Sequence, residues 1–435
     1  MMKRRDFLTH TSLLVGSSLL PVSALLHAGT EPASATALAK ADWRALRQQF
    51  ALTYDYIHLA TFLLASHPKP VADAIARHRK AFDENPADYW HEHFMTIDQQ
   101  IAAAAADYMG GEAWQIALTD STTMGLALVY SGLKLRPGDE ILQTVYDHYS
   151  TDLSLQLRAD RTGAKVRQVA LYDEPALVSV DEVLGKLKAA IKPATKVVAV
   201  TWVHSCNGVK LPIRAMAQLL AEQNKQRDEA DQIIFCVDGV HGFGIENVDV
   251  STLGCDFFIA GAHKWLFGPR GTGVIWGSKR GWDHCHAVIP SFSRSYDVWL
   301  GGSTQEQVPV GEHMTPGGFH SFEHRWALPE AFKLHLQLGK AEVQARIHQL
   351  NSQTKQGLQQ IKGVKLHTPM SAELSSGMVC FDYKQMAPDE VVKAMHSKGI
   401  IISSTPYRKS YARFAPSLIN SEQEIDRSLA ALVSV

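Results

Sequence analysis

Charge of one sign is the first thing this 435-residue chain lacks: 43 Lys and Arg stand against 44 Asp and Glu, a formal net charge of -1. Without a basic stripe there is no electrostatic footprint for nucleic acid or for an anionic membrane surface. Cysteine is scarce as well. The five present, at 206, 236, 255, 285 and 380, are odd in number, scattered and without CxxC spacing. Neither a disulfide framework nor a zinc or other metal site is indicated, and at least one thiol must stay unpaired. Cys236 and Cys255 fall in apolar runs, where small buried hydrophobes are expected. Long apolar runs are also missing, since the N-terminal one, about Leu13 to Leu26, is short for a spanning helix. Neither internal repeats nor low-complexity segments occur. What remains is 46% hydrophobic and 20% charged, an ordinary globular composition with ample length for a sizeable core.

The N-terminus reads as a targeting segment. Lys3-Arg4-Arg5-Asp6-Phe7-Leu8 precedes that short apolar stretch, and Leu26-His27-Ala28 loosely matches a small-residue cleavage site. The paired arginines resemble the twin-arginine (Tat) signature, with a plain secretory signal or an N-terminal anchor as the alternative. The expectation is a signal over residues 1–28, export by the Tat machinery to the bacterial periplasm, and no membrane anchor after cleavage.

The expected layout continues with an N-terminal arm (29–60), a large domain (61–305) and a smaller C-terminal α+β domain (306–435). Helices are expected over Val71 to about Phe82 and Thr96 to Tyr108, with an aromatic loop, Asn85 to Trp90, between them. Apolar strands alternate with helices from about 115 to 276, which predicts an α/β fold with a large, doubly wound, mainly parallel sheet. Ser291 to Gly302, aromatic and glycine-rich, reads as a mobile segment over a pocket. One long helix is expected from about Pro329 to Gly357.

The chemistry concentrates at strand ends. The apolar run Ile233 to Val237 ends in Asp238, and Phe257 to Ala260 leads to His263-Lys264 and the glycine turn Gly268-Pro269-Arg270-Gly271-Thr272-Gly273. Acid and amine therefore fall where an open α/β sheet places its ligand crevice. An amine there can form an imine with an aldehyde cofactor, and a carboxylate can keep a pyridinium nitrogen protonated. Those are the two groups that pyridoxal 5'-phosphate (PLP) needs most. Ser121-Thr122-Thr123 opens a helix after a short strand, a good cradle for phosphate. His148, just past the strand Glu140 to Tyr146, could stack on a flat ring, and Ser205 and Asn207 follow the strand Lys196 to Val203.

These residues resemble the class V aminotransferase group of fold-type I PLP enzymes, and within it the isopenicillin N epimerase-like branch. The resemblance runs from about Tyr54 to the C-terminus and is carried by Val237-Asp238-Gly239-Val240-His241-Gly242, with Lys264 26 residues after Asp238 (264 − 238). It implies Lys264 as the residue that attaches the cofactor, Asp238 as partner of the ring nitrogen, and His148 as the stacking ring. It implies His241 beside the phenolic oxygen or the substrate adduct. Ser121, Thr122, Thr123 and His263 fall at the phosphate. Ser205 and Asn207 lie in the loop that addresses the phenolic oxygen, and Arg413 matches an arginine for the substrate carboxylate.

Two departures accompany it. A Gly-Thr pair that reaches the phosphate from a neighbouring subunit is replaced by Pro316-Gly317-Gly318-Phe319-His320-Ser321, with His320 or Ser321 as substitute. Desulfurases of the group carry a reactive cysteine before the arginine, whereas Ile400 to Arg413 contains none. With the Tat-like leader, the chain looks most like exported members that modify the glutamyl group of a pyoverdine-type siderophore precursor. The implied substrate is a small-molecule or peptide-bound amino acid, and the implied assembly is a homodimer. An epimerase or racemase, or a protein that binds PLP without turnover, are the alternatives.

Overall fold

The computed structural model describes residues 42–435. The expected signal peptide and the first part of the arm, residues 29–41, fall outside the described residues. Seven strands form the main sheet: β1 (Ile116–Thr119), β2 (Glu140–Thr144), β3 (Lys165–Val169), β4 (Thr195–Thr201), β5 (Ile234–Asp238), β6 (Phe257–Gly261) and β7 (Gly273–Gly277). Their order is β1-β7-β6-β5-β4-β2-β3. Every neighbouring pair is parallel except those of β7, which runs antiparallel to both β1 and β6. All strands but the edge strand β3 are buried along their whole length. Continuous apolar runs such as Phe257–Gly261 suit a sheet covered on both faces. The expected α/β architecture is what the chain adopts.

A second sheet of β8 (Val364–Leu366), β9 (Val379–Tyr383), β10 (Ser403–Ser404) and β11 (Ala412–Phe414) is antiparallel, in the order β10-β11-β9-β8. It has its own core, which includes Val379, Phe381, Phe414, Leu350 and Met395. Ile57–His58 pairs in parallel with Ile400–Ile401, so chain from before the large sheet is tied to chain after it.

Several local expectations change. Asn85 to Trp90 is no loop: a helix begins at Pro86 and runs to Met109. Pro86 occupies its first turn, where the missing N–H costs nothing, and Gly110 (φ 72°) ends it. The aromatic residues at its start pack inward, Tyr89 against Phe82 and Trp326. The long helix after Pro329 is two helices, Phe322–Leu338 and Lys340–Gln360, separated by Gly339 at φ 83°. Ser291 to Gly302 contains an ordered helix, Arg294–Leu300, whose Arg294 pairs with Glu312 at 2.5 Å. A further helix, Tyr149–Thr162, escapes sequence reading because its buried face is reduced to Ser150, Thr151, Leu155 and Ala159.

Candidate active site

β1, β2, β4, β5 and β6 run the same way, so their carboxyl ends share one edge of the sheet. Each delivers chemistry to it: Ser121 to Thr123 after β1, His148 after β2, Ser205 after β4, Asp238 ending β5, and Lys264 after β6. This edge is where an open α/β sheet leaves room for a ligand.

Asp238 is 2% exposed. Val240 N–H donates to its Oδ1 at 3.1 Å, and among the described residues no other hydrogen bond reaches the carboxylate. Burial pushes its pKa from 3.8 up to about 7, against the downward pull of that N–H and of Lys264. Gly239 follows because nothing larger fits: a Cβ there would lie 2.0 Å from Phe258 Cζ.

Lys264 is half-buried, and burial lowers its amine from 10.5 to about 8, with Asp238 pulling the other way. Among the described residues no carboxylate lies within 4.0 Å of Nζ and no hydrogen bond holds it. Its aromatic neighbour is Phe62, whose ring centroid is 6.0 Å from Nζ. Phe62 is a hub that sequence reading missed. It stacks on Trp265 (5.4 Å, 11°), meets His241 edge-on (5.5 Å) and lies 4.6 Å from the guanidinium carbon of Arg413. Trp265 Nε1–H donates to His241 Nδ1 at 3.3 Å. That bond assigns the proton of neutral His241 to Nε2, and burial, with the charges of Lys264 and Arg413, keeps the ring neutral.

The phosphate side is built at the start of helix Thr122–Gly132. Ser121 caps it, its Oγ accepting from Met124 N–H at 3.2 Å, and Thr122 Oγ1 accepts from Gly261 N–H at 2.8 Å. Thr123 is exposed at the same terminus, whose first N–H groups have no partner within the helix. A Cβ on Gly261 would meet Thr122 Oγ1 at 3.0 Å and His263 Cε1 at 3.1 Å, so glycine keeps this cleft open. His263 Nδ1 is buried there without a hydrogen bond.

Opposite lies Arg413, 1% exposed on β11. Its Nη1 donates to Ser205 O at 2.7 Å and its Nε to Ser403 Oγ at 3.1 Å, but no carboxylate pairs with it among the described residues. A buried cation lacking an acid is costly unless a ligand supplies the anion. His148 caps the helix Tyr149–Thr162 and accepts from Ser150 N–H through Nδ1 at 3.3 Å. Its pKa is lowered by burial and then by Lys264 and Arg413, which places all three in one neighbourhood. Ser205 Oγ is 2.6 Å from the hydroxyl of Tyr407, another group missed from sequence.

One expected residue, Asn207, is engaged elsewhere, and His320, expected to act across a subunit boundary, lies outside this chain's own cluster. Both ends of the Asn207 amide are engaged within the scaffold: Nδ2 donates to Tyr172 OH at 2.8 Å, and Oδ1 accepts from Val209 N–H at 3.1 Å. With His204, which meets Tyr172 OH at 2.8 Å, it forms a layer behind the site. Asp147 braces that layer, accepting from Thr144 and Thr201 N–H at 2.7 Å each. His320 lines a separate cavity of about 450 Å³ between Trp90, Phe292, Phe322 and Arg325. Its Nε2 is buried there without a partner. None of Asp238, Lys264, His148 or Arg413 lines that space; the reactive groups gather at the sheet edge.

The donor set suits PLP. A buried carboxyl with one hydrogen bond stands ready for a ring nitrogen, an unpaired amine for the aldehyde, an open cleft with an orphaned imidazole nitrogen for phosphate, and an unpaired arginine for a carboxylate. Known proteins resemble this chain over most of its length. The profile of the class-V aminotransferase family matches residues 65–409. A probable cysteine desulfurase from Vibrio cholerae is 25% identical over 408 residues, covering 88% of this chain and 95% of its own. Isopenicillin N epimerase from Streptomyces clavuligerus is 27% identical over 352 residues, covering 79% and 85%. Among solved structures, the cystine C–S lyase C-DES, in complex with its product cysteine persulfide, aligns with a TM-score of 0.78 at 21% identity, over 87% of this chain and 98% of its own. An apo cysteine desulfurase from Thermococcus onnurineus gives 0.72 at 20% identity, over 90% and 97%. At such identities the structures speak for the fold, while the family profile spans most of the described chain, Asp238 and Lys264 included: this protein belongs to the class-V aminotransferase family of PLP-dependent enzymes.

Proposed function

We propose that this is a periplasmic PLP enzyme acting on the amine of a free or peptide-bound amino acid, with the glutamyl group of a pyoverdine-type siderophore precursor as substrate. The observation that carries the enzymatic part is the convergence at one sheet edge of an unpaired amine (Lys264), a buried carboxyl (Asp238) and a buried, acid-free guanidinium (Arg413). When bound, the cofactor supplies an electron sink for a bond broken at the substrate Cα.

The chain's own residues do the rest. Lys264 provides the attachment point, and its amine, held near neutrality, moves a proton at Cα. Asp238 stabilises the protonated ring nitrogen by its charge. The helix terminus at Ser121 to Thr123, with His263, holds phosphate. His148 covers the ring, and His241 offers Nε2–H to an oxygen. Arg413 presents a planar fork to the substrate's α-carboxylate.

Desulfurase chemistry is disfavoured: all five cysteines are buried, and residues 405–411, before Arg413, contain none. Epimerisation is the second reading, supported by the S. clavuligerus relative. Export rests on Lys3 to Leu8, and the siderophore substrate on the combination of that leader with a class-V fold of the isopenicillin N epimerase-like branch. A homodimer is supported by exposed aromatic residues lining the 450 Å³ cavity, Phe292 (59%) and Phe319 (91%), which a second copy would cover.

The purified protein is expected to show a visible absorption band that borohydride removes, to elute as a dimer, and to fractionate with the periplasm. Siderophore profiles of a deletion strain under iron limitation should change. A colourless protein after PLP addition overturns the enzymatic reading, and unchanged siderophore forms overturn the substrate assignment.

A further inference from the structure

The turn between β10 and β11 points one side chain inward. Thr405 N–H donates to Tyr411 O at 2.9 Å, Tyr411 N–H to Thr405 Oγ1 at 3.0 Å, and Tyr407 N–H to Thr405 O at 2.9 Å. This closes residues 405–411 into a tight hairpin tip. Pro406, Arg408 and Lys409 face solvent, whereas Tyr407 turns in. Its ring meets His148 edge-on at 6.0 Å and 80°, and its hydroxyl lies 2.6 Å from Ser205 Oγ. Arg413 fastens this arrangement from behind, with Nη1 on Ser205 O and Nη2 on Ser404 O at 3.5 Å. Tyr407 thus stands among His148, Ser205 and Arg413, three groups delivered by three different elements.

The two hydroxyls carry two O–H groups between them, and their mutual bond uses one. The other has no acceptor among the described residues, because no further hydrogen bond of Tyr407 OH or Ser205 Oγ is formed. Burial holds the phenol neutral, so the pair keeps both protons.

We propose that Tyr407 is a specificity-determining residue that contacts the substrate: with Ser205 it presents a spare O–H donor to the substrate side chain, selecting one that ends in a carboxylate or carboxamide oxygen over an aliphatic one. The proposal rests on the PLP reading above and adds the residues that read the end of the substrate side chain. A site built to hydrogen-bond a substrate group discriminates against an analogue lacking that group, because its own donor is then left unmatched.

The test titrates the holoenzyme, followed by its visible band, with L-glutamine and with L-methionine, which is of similar length but lacks the oxygen. Wild type should favour glutamine. Tyr407→Phe keeps the ring against His148 and should weaken glutamine by roughly 3- to 10-fold, the loss of one neutral hydrogen bond, while leaving methionine unchanged. Ser205→Ala, which removes the other hydroxyl, should narrow the same preference. The proposal is overturned by a wild type that does not favour glutamine, by a preference unaltered in both variants, or by equal weakening of both amino acids, the mark of a merely structural tyrosine. A holoenzyme with no visible band, or with a band that ignores both amino acids, overturns the underlying reading as well.

Discussion

Replacing Asp238 by Asn should make the cofactor-free protein more stable while depriving it of function. The carboxyl is buried, and its pKa stands at about 7 instead of 3.8. At about 1.4 kcal/mol per pH unit, that difference amounts to roughly 4 kcal/mol of destabilisation once the group is ionised in the folded state. The sign follows from proton counting. Between pH 3.8 and 7 the folded protein holds a proton that the unfolded chain has released, so acidification through this window stabilises the fold, and the full penalty is present above pH 7. Asparagine keeps an oxygen for Val240 N–H but buries an NH₂ lacking an acceptor, at about 1–3 kcal/mol. The net expectation at pH 8 is a gain of about 1–3 kcal/mol, shrinking to nothing or reversing by pH 5. Urea titrations of PLP-stripped wild type and Asp238→Asn at the two pH values would measure it. A variant less stable than wild type at pH 8, or a difference that ignores pH, would refute this account of Asp238. Reconstituted with PLP, the same variant should lose most of its turnover, because a neutral amide cannot balance a protonated ring nitrogen.

Other outcomes follow from the same geometry. Lys264→Ala should still take up PLP reversibly but retain none after borohydride treatment and denaturation, as intact mass would show. Covalent loading of wild type should quicken about tenfold per pH unit up to about pH 8 and then level off, since only the neutral amine reacts and burial sets it near that value; stopped-flow absorbance would record the profile. Arg413→Lys loses the planar fork and should weaken amino acids by roughly 10- to 100-fold, while simple amines without a carboxylate bind as before. Gly239→Ala, whose Cβ would collide with Phe258 at 2.0 Å, should lower the urea midpoint and cofactor occupancy together.

The strand-end acid and amine were legible because a parallel sheet announces itself through continuous apolar runs, and the residue after each run falls on the ligand edge. The hydroxyl cluster at Ser121 was legible for the same reason. Phe62 and Tyr407 were not, since neither belongs to a motif. They matter only through contacts with residues about 200 or more positions away, Phe62 with Trp265 and Arg413, Tyr407 with Ser205. Asn207 misled in the opposite sense: it stands in the right loop, but its amide is matched to Tyr172 and Val209. The helix from Pro86 was obscured by its aromatic residues, which read as a loop until Trp326 is seen packing against them.

The pairing of Ile57–His58 with Ile400–Ile401, and the contact of Phe62 with Arg413, impose an order of events on biosynthesis. Lys264 leaves the ribosome 149 residues (413 − 264) before Arg413, which at typical elongation rates is roughly 7–30 s. Throughout that interval the lysine half of the pocket can form, but neither the carboxylate anchor nor the hairpin bearing Tyr407 exists, and Phe62 has no guanidinium to cover. A growing chain can therefore meet an aldehyde before it can recognise an amino acid. Selectivity arrives after reactivity, with the strands that carry Tyr407 and Arg413.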